Sequence, residues 1–96
     1  MSREPRLPAR VQFVEAVRPR FGPDRGFLFD ERSGRVYSLN GSGAFAAARI
    51  QERQPTEQVL AAMVETYDVD ATTARRALAV FVEQLVQEGI AEVLNG

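Results

Sequence analysis

The chain has 96 residues, enough for one domain with one hydrophobic core but too few for a deep enclosed active site. It contains no cysteine and no histidine, which excludes disulfides, thiolate metal sites and cysteine nucleophiles and removes the commonest general base. Residues 1–40 carry eight arginines and five acidic residues, residues 41–96 carry four arginines and eight acidic residues, and the net charge is −1. We therefore expect no enzyme, metal or cofactor, and no basic excess of the kind that binds duplex DNA.

Residues 1–10 are predicted to form a flexible N-terminal arm, because two prolines and three arginines leave few apolar side chains to pack. No apolar segment follows the first residues, so they do not resemble a secretory signal. No apolar run approaches the roughly 20 residues that span a bilayer. We expect residues 11–94 to form the domain, in the cytoplasm and without a membrane partner.

Three β-like runs follow the arm, at residues 11–17, 27–30 and 35–39. The first run is expected to end at Arg18 and Pro19, which interrupt a regular strand. The second and third runs are separated by residues 31–34, and Gly34 supplies the positive φ that a short hairpin turn requires. We therefore predict that these two strands pair antiparallel.

Three helices are predicted after the strands, at residues 42–52, at about 55–67 and at 71–88. Asn40 and Asp70 are suitable N-caps for the first and third helices, and Thr56 or Gln54 for the second. Gly89 is expected to end the third helix, and the last residues form a short strand or an extended tail. The order of the elements predicts an α+β fold, with a three-stranded antiparallel sheet followed by three helices.

The third helix carries a wider apolar surface than a helix on a small domain needs. Its core stripe is predicted to consist of Ala74, Leu78, Phe81 and Leu85. A second apolar flank follows at Ala79, Val82 and Val86. Either both flanks are buried, one on the sheet and one on the other helices, or the second flank lines an open groove for a partner. Spacing alone does not decide between these two interpretations.

The third predicted strand, residues 35–39, favours the groove. It is the last strand before the helices and is therefore expected at the edge of the sheet, where backbone N–H and C=O groups are unpaired. Neither a proline nor a lysine blocks this strand. An open edge beside an apolar helix is what the addition of a peptide as a further β-strand requires.

Four stretches of the chain resemble the PqqD-like family of precursor-peptide recognition domains. The family's hairpin resembles FLFDERSGRVYSLN at residues 27–40, and its second helix and acidic break resemble TEQVL at 56–60 and ETYDVD at 65–70. Its closing helix and glycine stop resemble FVEQLVQEGI at 81–90. No single motif is specific, but the ordered set covers about residues 11–94.

This resemblance implies a winged helix-turn-helix-like fold and a RiPP recognition element, a domain that binds the leader segment of a ribosomally made peptide. The leader would add as a strand to the third β-strand, in a groove closed by the third helix, and the domain would present the remainder to a modifying enzyme such as a radical-SAM enzyme. Pyrroloquinoline quinone, lasso peptides and other modified peptides are products of such systems. The implied peptide-binding residues are Arg35, Val36, Tyr37, Ser38, Leu39, Arg75, Leu78, Ala79 and Val82. Arg75 and Arg76 either pair with acidic leader side chains or are ordinary solvated arginines.

The main alternative is a winged-helix DNA-binding transcriptional regulator, since three helices and a β-hairpin also describe that class. The third helix opposes this alternative, because Arg75 and Arg76 at its start are followed by Glu83 and Glu88, and phosphate contacts require positive charge. We expect no nucleic acid partner. An open strand edge also permits self-pairing, so a monomer or a weak homodimer is expected.

Overall fold

The computed structural model describes residues 7–94. Their elements are, in chain order, β1 (Arg10–Phe13), β2 (Val17–Phe21), β3 (Gly26–Asp30), β4 (Val36–Leu39), α1 (Gly41–Gln51), α2 (Thr56–Tyr67), α3 (Ala71–Gln87) and β5 (Ala91–Leu94). The strands form an antiparallel sheet in the order β2-β3-β4 and a second, antiparallel pair, β1-β5. The predicted α+β architecture, a three-stranded antiparallel sheet followed by three helices, is confirmed.

The hairpin of β3 and β4 is the part of the sheet that the sequence predicts best. Gly34 adopts a φ of 76° in the turn, where a side chain would be strained, and its N–H donates to the carbonyl of Asp30 at 2.8 Å. Side chains alternate along β3, so that Leu28 is fully buried while Phe27 and Phe29 are exposed. The inner face of this hairpin packs on the helices.

The first predicted strand is wrong as a single run. The chain leaves β1 at Phe13, turns, and enters β2 at Val17, so two short strands lie in two different sheets. β1 pairs with β5 at the other end of the chain, with Arg10 opposite Leu94. Sequence periodicity within residues 11–17 carries no information on a pairing partner so distant in the chain, which is why the split was not predicted.

Pro19 lies inside β2 rather than ending a strand, and the hydrogen-bond pattern explains why it is tolerated. Glu31 N donates to Ala16 O at 3.1 Å and Gly22 N donates to Arg25 O at 2.8 Å, at the two ends of the β2–β3 ladder. Bonded and non-bonded residues alternate along an antiparallel strand, so Pro19 falls on a position whose backbone points away from β3. A proline there removes no ladder hydrogen bond.

Two of the predicted caps are confirmed and one is wrong. The side chains of Asn40 and Asp70 accept from the N–H groups of Gly43, at 2.8 Å, and Thr73, at 3.1 Å. α2 has Pro55 at its N-cap and no side-chain cap, so neither Gln54 nor Thr56 has the predicted role.

Thr56 instead holds the segment before β1. Its hydroxyl donates to the carbonyl oxygens of Pro8 and Ala9, and its backbone N–H donates to Ala9 O at 3.0 Å. Leu7 packs against the core and Arg10 opens β1, so residues 7–10 of the predicted arm lie against the domain. Residues 1–6 lie outside the described part, and their flexibility stays a prediction.

The core lies between the helices and the inner faces of the two sheets. α1 packs against α2 and against β1 to β4, while α3 packs against both α2 and β5. The largest fully buried side chains are Leu28, Ile50, Leu78, Ile90, Val59, Val82 and Thr56. Because α3 has two neighbours, it needs apolar residues on two flanks. No helix within residues 7–94 is long and apolar enough to cross a membrane.

Candidate functional site

The outer edge of β4 carries unused backbone groups. Asp30 N donates to Arg35 O at 2.9 Å, which sets the alternation of the β3–β4 ladder. Tyr37 and Leu39 are therefore the residues of β4 that bond to β3, and Val36 and Ser38 point their N–H and C=O groups outward. Within residues 7–94 no strand pairs with this edge.

A groove runs between this edge and α3. It has a volume of about 360 Å³ and is lined by Tyr37, Ser38, Leu39, Phe81, Gln84, Leu85, Gln87, Glu88 and Ile90. A second cavity of about 220 Å³ adjoins it and is lined by Asn40, Ser42, Gly43, Ala46, Met63, Ala77, Leu78, Val80, Phe81 and Gln84. Phe81 and Gln84 line both cavities, so the two cavities are neighbours along α3.

The walls of the groove combine one helix face with one strand face. Phe81, Gln84 and Glu88 are spaced by three and four residues, which places them on the same side of α3. Tyr37 and Leu39 project from β4 on the side that packs against the core, and both remain half-buried. The groove therefore presents partly exposed aromatic and aliphatic surface beside an open strand edge.

Charged groups lie only at the β4 start of the groove. Glu88 Oε2 is 3.7 Å from Arg35 Nη1 and 3.5 Å from the Tyr37 hydroxyl. Gln84 and Ser38 are polar but neutral. No group of three or more acidic side chains in residues 7–94 is arranged to hold a metal ion.

The β3–β4 turn is fastened to the end of α3 by Asp30 and Arg32. Arg32 Nε and Nη2 donate to the two carboxylate oxygens of Asp30 at 3.0 and 3.2 Å, and Nη2 also donates to the carbonyl of Gly89 at 2.9 Å. The hydrogen bond from Arg32 holds the pKa of Asp30 below its ordinary value, although burial of the carboxylate acts in the opposite direction. The same contact raises the pKa of Arg32. This clamp joins the β3–β4 turn to the residue that ends α3.

The fold agrees with comparisons to known proteins. The family model of the coenzyme PQQ synthesis protein D (PqqD) matches residues 25–91, more than two thirds of the chain. The chain belongs to the PqqD family. The matched region includes β3, β4, all three helices and therefore both walls of the groove.

Two solved structures resemble this PqqD-family chain. TbiB1 in complex with the TbiA(beta) leader peptide superposes with a TM-score of 0.81 at 22% identity, covering 88% of this chain and 99% of TbiB1. A lasso peptide synthetase B1 complexed with the leader peptide gives a TM-score of 0.78 at 25% identity, with the same coverage of 88% and 99%. No curated protein matches the chain.

The strand half of the predicted site lies together at the groove. Tyr37, Ser38 and Leu39 line it, Val36 lies on the same open edge, and Arg35 lies at the end next to Glu88. Whether a peptide contacts these residues stays a prediction. Their common location follows from the strand order, which places β4 at the edge of the sheet.

The helical half of the predicted site consists of buried apolar side chains and one paired arginine. Leu78, Ala79 and Val82 expose only 1–2% of their surface and pack in the core. Arg75 donates to both carboxylate oxygens of Glu57 on α2, each at 2.8 Å. These three apolar side chains expose almost no surface, although Leu78 borders the second cavity. The α3 side chains beside β4 include Phe81, Gln84 and Glu88 instead. Whether a peptide contacts the predicted helical residues stays a prediction.

The geometry of α3 explains which of its side chains are buried. At about 100° per residue, Ala79 and Val82 lie on one side of the core stripe of α3, and Phe81, Gln84 and Glu88 lie on the other. α2 and β5 pack against the first side, where Val82 and Val86 also border a depression beside Leu7 and Pro8, and β4 faces the second side. Phe81 was predicted as core because it is apolar. Phe81, Gln84 and Glu88 follow each other at steps of three and four residues. This pattern places one aromatic and two polar side chains on the same side of the helix, which indicates a half-exposed face.

Proposed function

We propose that this chain binds the leader segment of a ribosomally synthesised precursor peptide as an added strand on β4. The observation that carries the proposal is the open edge of Val36 and Ser38 beside the groove under α3. The leader-peptide complexes of the two similar structures support it. The bound leader would hold the rest of the precursor for a modifying enzyme.

Backbone hydrogen bonds would supply the part of the affinity that does not depend on peptide sequence. Val36 and Ser38 each offer one outward N–H donor and one outward C=O acceptor. A peptide in extended conformation satisfies them as a further strand does. The exposed position of both residues allows this addition without any rearrangement of β3.

Side-chain contacts would supply the specificity. Alternate residues of an added strand point to opposite faces of the sheet, so every second peptide side chain would enter the groove. There it would meet Phe81, Tyr37 and Leu39, with Gln84 available for one hydrogen bond. The groove therefore suits a leader with apolar side chains two residues apart, and Arg35 and Glu88 suit a polar or charged residue at the end.

We propose a carrier role without catalysis, in the cytoplasm. The side chains of residues 7–94 that line the groove include neither a nucleophile with a base nor a pair of free carboxylates, and Asp30 is held by Arg32. The bond-making chemistry would belong to a separate enzyme, of the radical-SAM class or another class. The groove geometry suits the leaders of lasso peptides and of peptide-derived cofactors such as pyrroloquinoline quinone equally.

The contacts of α3 do not favour the DNA-binding alternative. A recognition helix needs an exposed polar and basic face. α3 is covered on two flanks, Arg75 is paired with Glu57, and the face towards β4 carries Gln84 and Glu88. Random duplex DNA should therefore show no tight, steeply salt-dependent binding in a fluorescence anisotropy titration.

The proposal is tested by closing the β4 edge with a single substitution. Ser38→Pro removes one outward N–H and leaves the β3–β4 ladder intact, because the Ser38 backbone faces away from β3. Ser38→Ala is the matched control, since it removes the hydroxyl and keeps the N–H. The ligand is the leader of each precursor peptide encoded beside the gene, and the measurements are isothermal titration, backbone amide shifts and the melting temperature.

We expect Ser38→Pro to weaken leader binding by about tenfold or more, equal to about 1.4 kcal/mol, while Ser38→Ala binds as the wild type does. Amide shifts in the wild type should concentrate in β4 and in the groove face of α3. Equal affinities of the two variants, or shifts that avoid residues 35–39 and α3, would contradict strand addition. Absence of binding at tens of micromolar for every such leader would contradict the proposed function itself.

A further inference from the structure

The three-stranded sheet has a second face, turned away from the helices, that exposes large apolar side chains. Two rungs cross its three strands, formed by Arg18, Phe29 and Val36 and by Arg20, Phe27 and Ser38. These six residues are the outer face. Phe27, Phe29 and Val36 expose 38%, 40% and 60% of their surface. Adjacent exposed apolar side chains of this size mark a surface that contacts another molecule.

The charge of the outer face restricts the chemistry of that molecule. None of the six residues is acidic, and two are arginines. Arg18 pairs with Glu31 at 2.8 Å, whereas the Arg20 side chain has no hydrogen bond or ion pair within residues 7–94. Aromatic residues and arginine are enriched at protein–protein interfaces, where lysine and glutamate are depleted. The outer face therefore fits a protein surface with an apolar centre and a carboxylate beside it.

The outer face is continuous with the peptide edge. Val36 and Ser38 belong to the face through their side chains and to the open edge through their backbone groups. A peptide strand on β4 would place half of its side chains in the groove and the other half beside Val36 and Ser38. The face would then be four strands wide, and its last strand would be the peptide.

A second copy of the chain and a lipid surface fit this face less well. Two outer faces in a symmetric dimer would bring the arginines of both copies together with no acidic residue among the twelve positions. Anionic membranes are bound by clusters of four or more basic residues, and the face has two. A partner protein that brings the missing carboxylate avoids both difficulties.

We propose that the outer face is the docking surface for the enzyme that modifies the bound peptide, and that this enzyme contributes an apolar patch with a neighbouring acidic residue. This inference rests on the proposed function. Because the peptide completes the face, the enzyme binds the peptide-loaded domain more tightly than the empty one. By reciprocity, the enzyme tightens peptide binding by the same factor.

The test uses the full chain, its leader peptide and each purified maturation enzyme encoded beside the gene. Enzyme affinity is measured by biolayer interferometry with and without saturating leader. Arg20→Glu and Phe29→Ser alter the outer face outside the groove, and Val93→Ser is the matched control, an exposed valine on β5 in the other sheet. Arg20→Gln separates loss of charge from its reversal. Melting curves and leader affinity are recorded for every variant.

We expect the leader to raise affinity for one such enzyme by about tenfold, within the range of ordinary coupling between sites. Arg20→Glu and Phe29→Ser should each lower that affinity by about tenfold, Arg20→Gln by less, and Val93→Ser not at all. The affinity for the leader should stay within about twofold of the wild type in every variant, because none of the substitutions alters a side chain that lines the groove.

Three results would overturn the inference. The first is that neither outer-face variant changes the affinity for the enzyme. The second is that none of these enzymes binds the domain although the leader does. The third is that the variants lose self-association, or binding to phosphatidylglycerol vesicles, while enzyme binding is unchanged. If the leader itself does not bind, the proposed function fails instead, so the two failures are distinguishable.

Discussion

The two edges of the three-stranded sheet differ in the features that the proposed peptide site requires. Each edge lies beside a depression, of about 300 Å³ at β2 and about 360 Å³ at β4. On β2 the outward N–H of Val17 already donates to Val14 O at 3.0 Å, and Pro19 has no N–H to offer. On β4 the outward groups of Val36 and Ser38 meet no strand within residues 7–94.

The depressions differ as much as the backbones. The one at β2 also has apolar residues such as Phe13 and Val14 in its lining, but its exposed surface is mostly polar and includes Arg18, Arg53 and Glu15. The one at β4 has Phe81, Leu39 and Tyr37 on its walls. Strand addition requires free backbone groups beside a groove with apolar walls, and within residues 7–94 the sheet combines the two at β4 and not at β2.

The largest expected effect is the loss of stability that follows from a charge in the core beneath α3. Val82→Asp places a carboxylate without a partner on the core side of α3, where Val82 is 2% exposed. We expect a loss of about 3–5 kcal/mol in the free energy of unfolding, a large part of what holds a small domain together. Urea denaturation followed by circular dichroism measures it. Val93→Asp, on exposed β5, is the control and should stay folded. If Val82→Asp stays folded but no longer binds the leader, Val82 faces the groove rather than the core.

A smaller and more specific effect is expected at the groove wall. Phe81→Ala removes the aromatic ring shared by both cavities, and leader affinity should fall about tenfold, or about 1.4 kcal/mol. Phe45→Ala is the matched control, because Phe45 is also half-buried but packs edge-on against Tyr67 at 5.3 Å, away from β4. Isothermal titration compares them at equal melting temperature. If Phe81→Ala and Phe45→Ala bind the leader with equal affinity, Phe81 does not contact the leader.

The clamp beside the groove predicts a dependence on pH. The pKa of Asp30 is lowered in the folded state, so its contribution to stability is complete above the unfolded value of about 3.9 and is lost as the pH falls through the lower folded value. Asp30→Asn should therefore melt below the wild type at pH 7, and the two melting temperatures should converge below about pH 4. A difference that stays constant from pH 7 to pH 2 would show that the Asp30 charge contributes nothing. Glu57→Gln, which breaks an exposed pair, is the control.

The smallest effect is expected at the closed edge. Pro19→Ala restores an outward N–H on β2. It should lower the free energy of unfolding by about 0.4–1 kcal/mol, because alanine gives the unfolded chain more freedom than proline. Pro23→Ala, in the following turn, is the control and should have the same effect. Leader affinity should not change, because the depression there offers polar walls. Amide shifts at residues 17–21 on addition of leader to Pro19→Ala would show that backbone groups alone make a site.

Local features were predictable from the sequence and long-range ones were not. The β3–β4 hairpin, the caps Asn40 and Asp70 and the stop at Gly89 depend on neighbouring residues, and they lie as predicted. The β1–β5 pairing joins opposite ends of the chain, so no local pattern indicates it. Pro19 is tolerated in β2 only because its backbone is not among the groups of β2 that form hydrogen bonds with β3.

The binding site divides in the same way. Its strand half follows from the position of β4 as the last strand before the helices, which can be counted along the chain. Its helical half depends on which flank of α3 is covered, and the two flanks are both apolar in sequence. Only the positions of α2 and β5 decide that Ala79 and Val82 are covered and that Phe81 is open.

The pairing of β1 with β5 also determines how this domain can be joined to other proteins. Arg10 lies opposite Leu94 in an antiparallel pair, where Cα atoms are separated by about 5 Å. A polypeptide that enters before β1 and leaves after β5 therefore does so at nearly one point, and neither strand belongs to the sheet that contains β4. The domain could be inserted into a surface loop of an enzyme, or tethered to it at either end, with the peptide edge unobstructed.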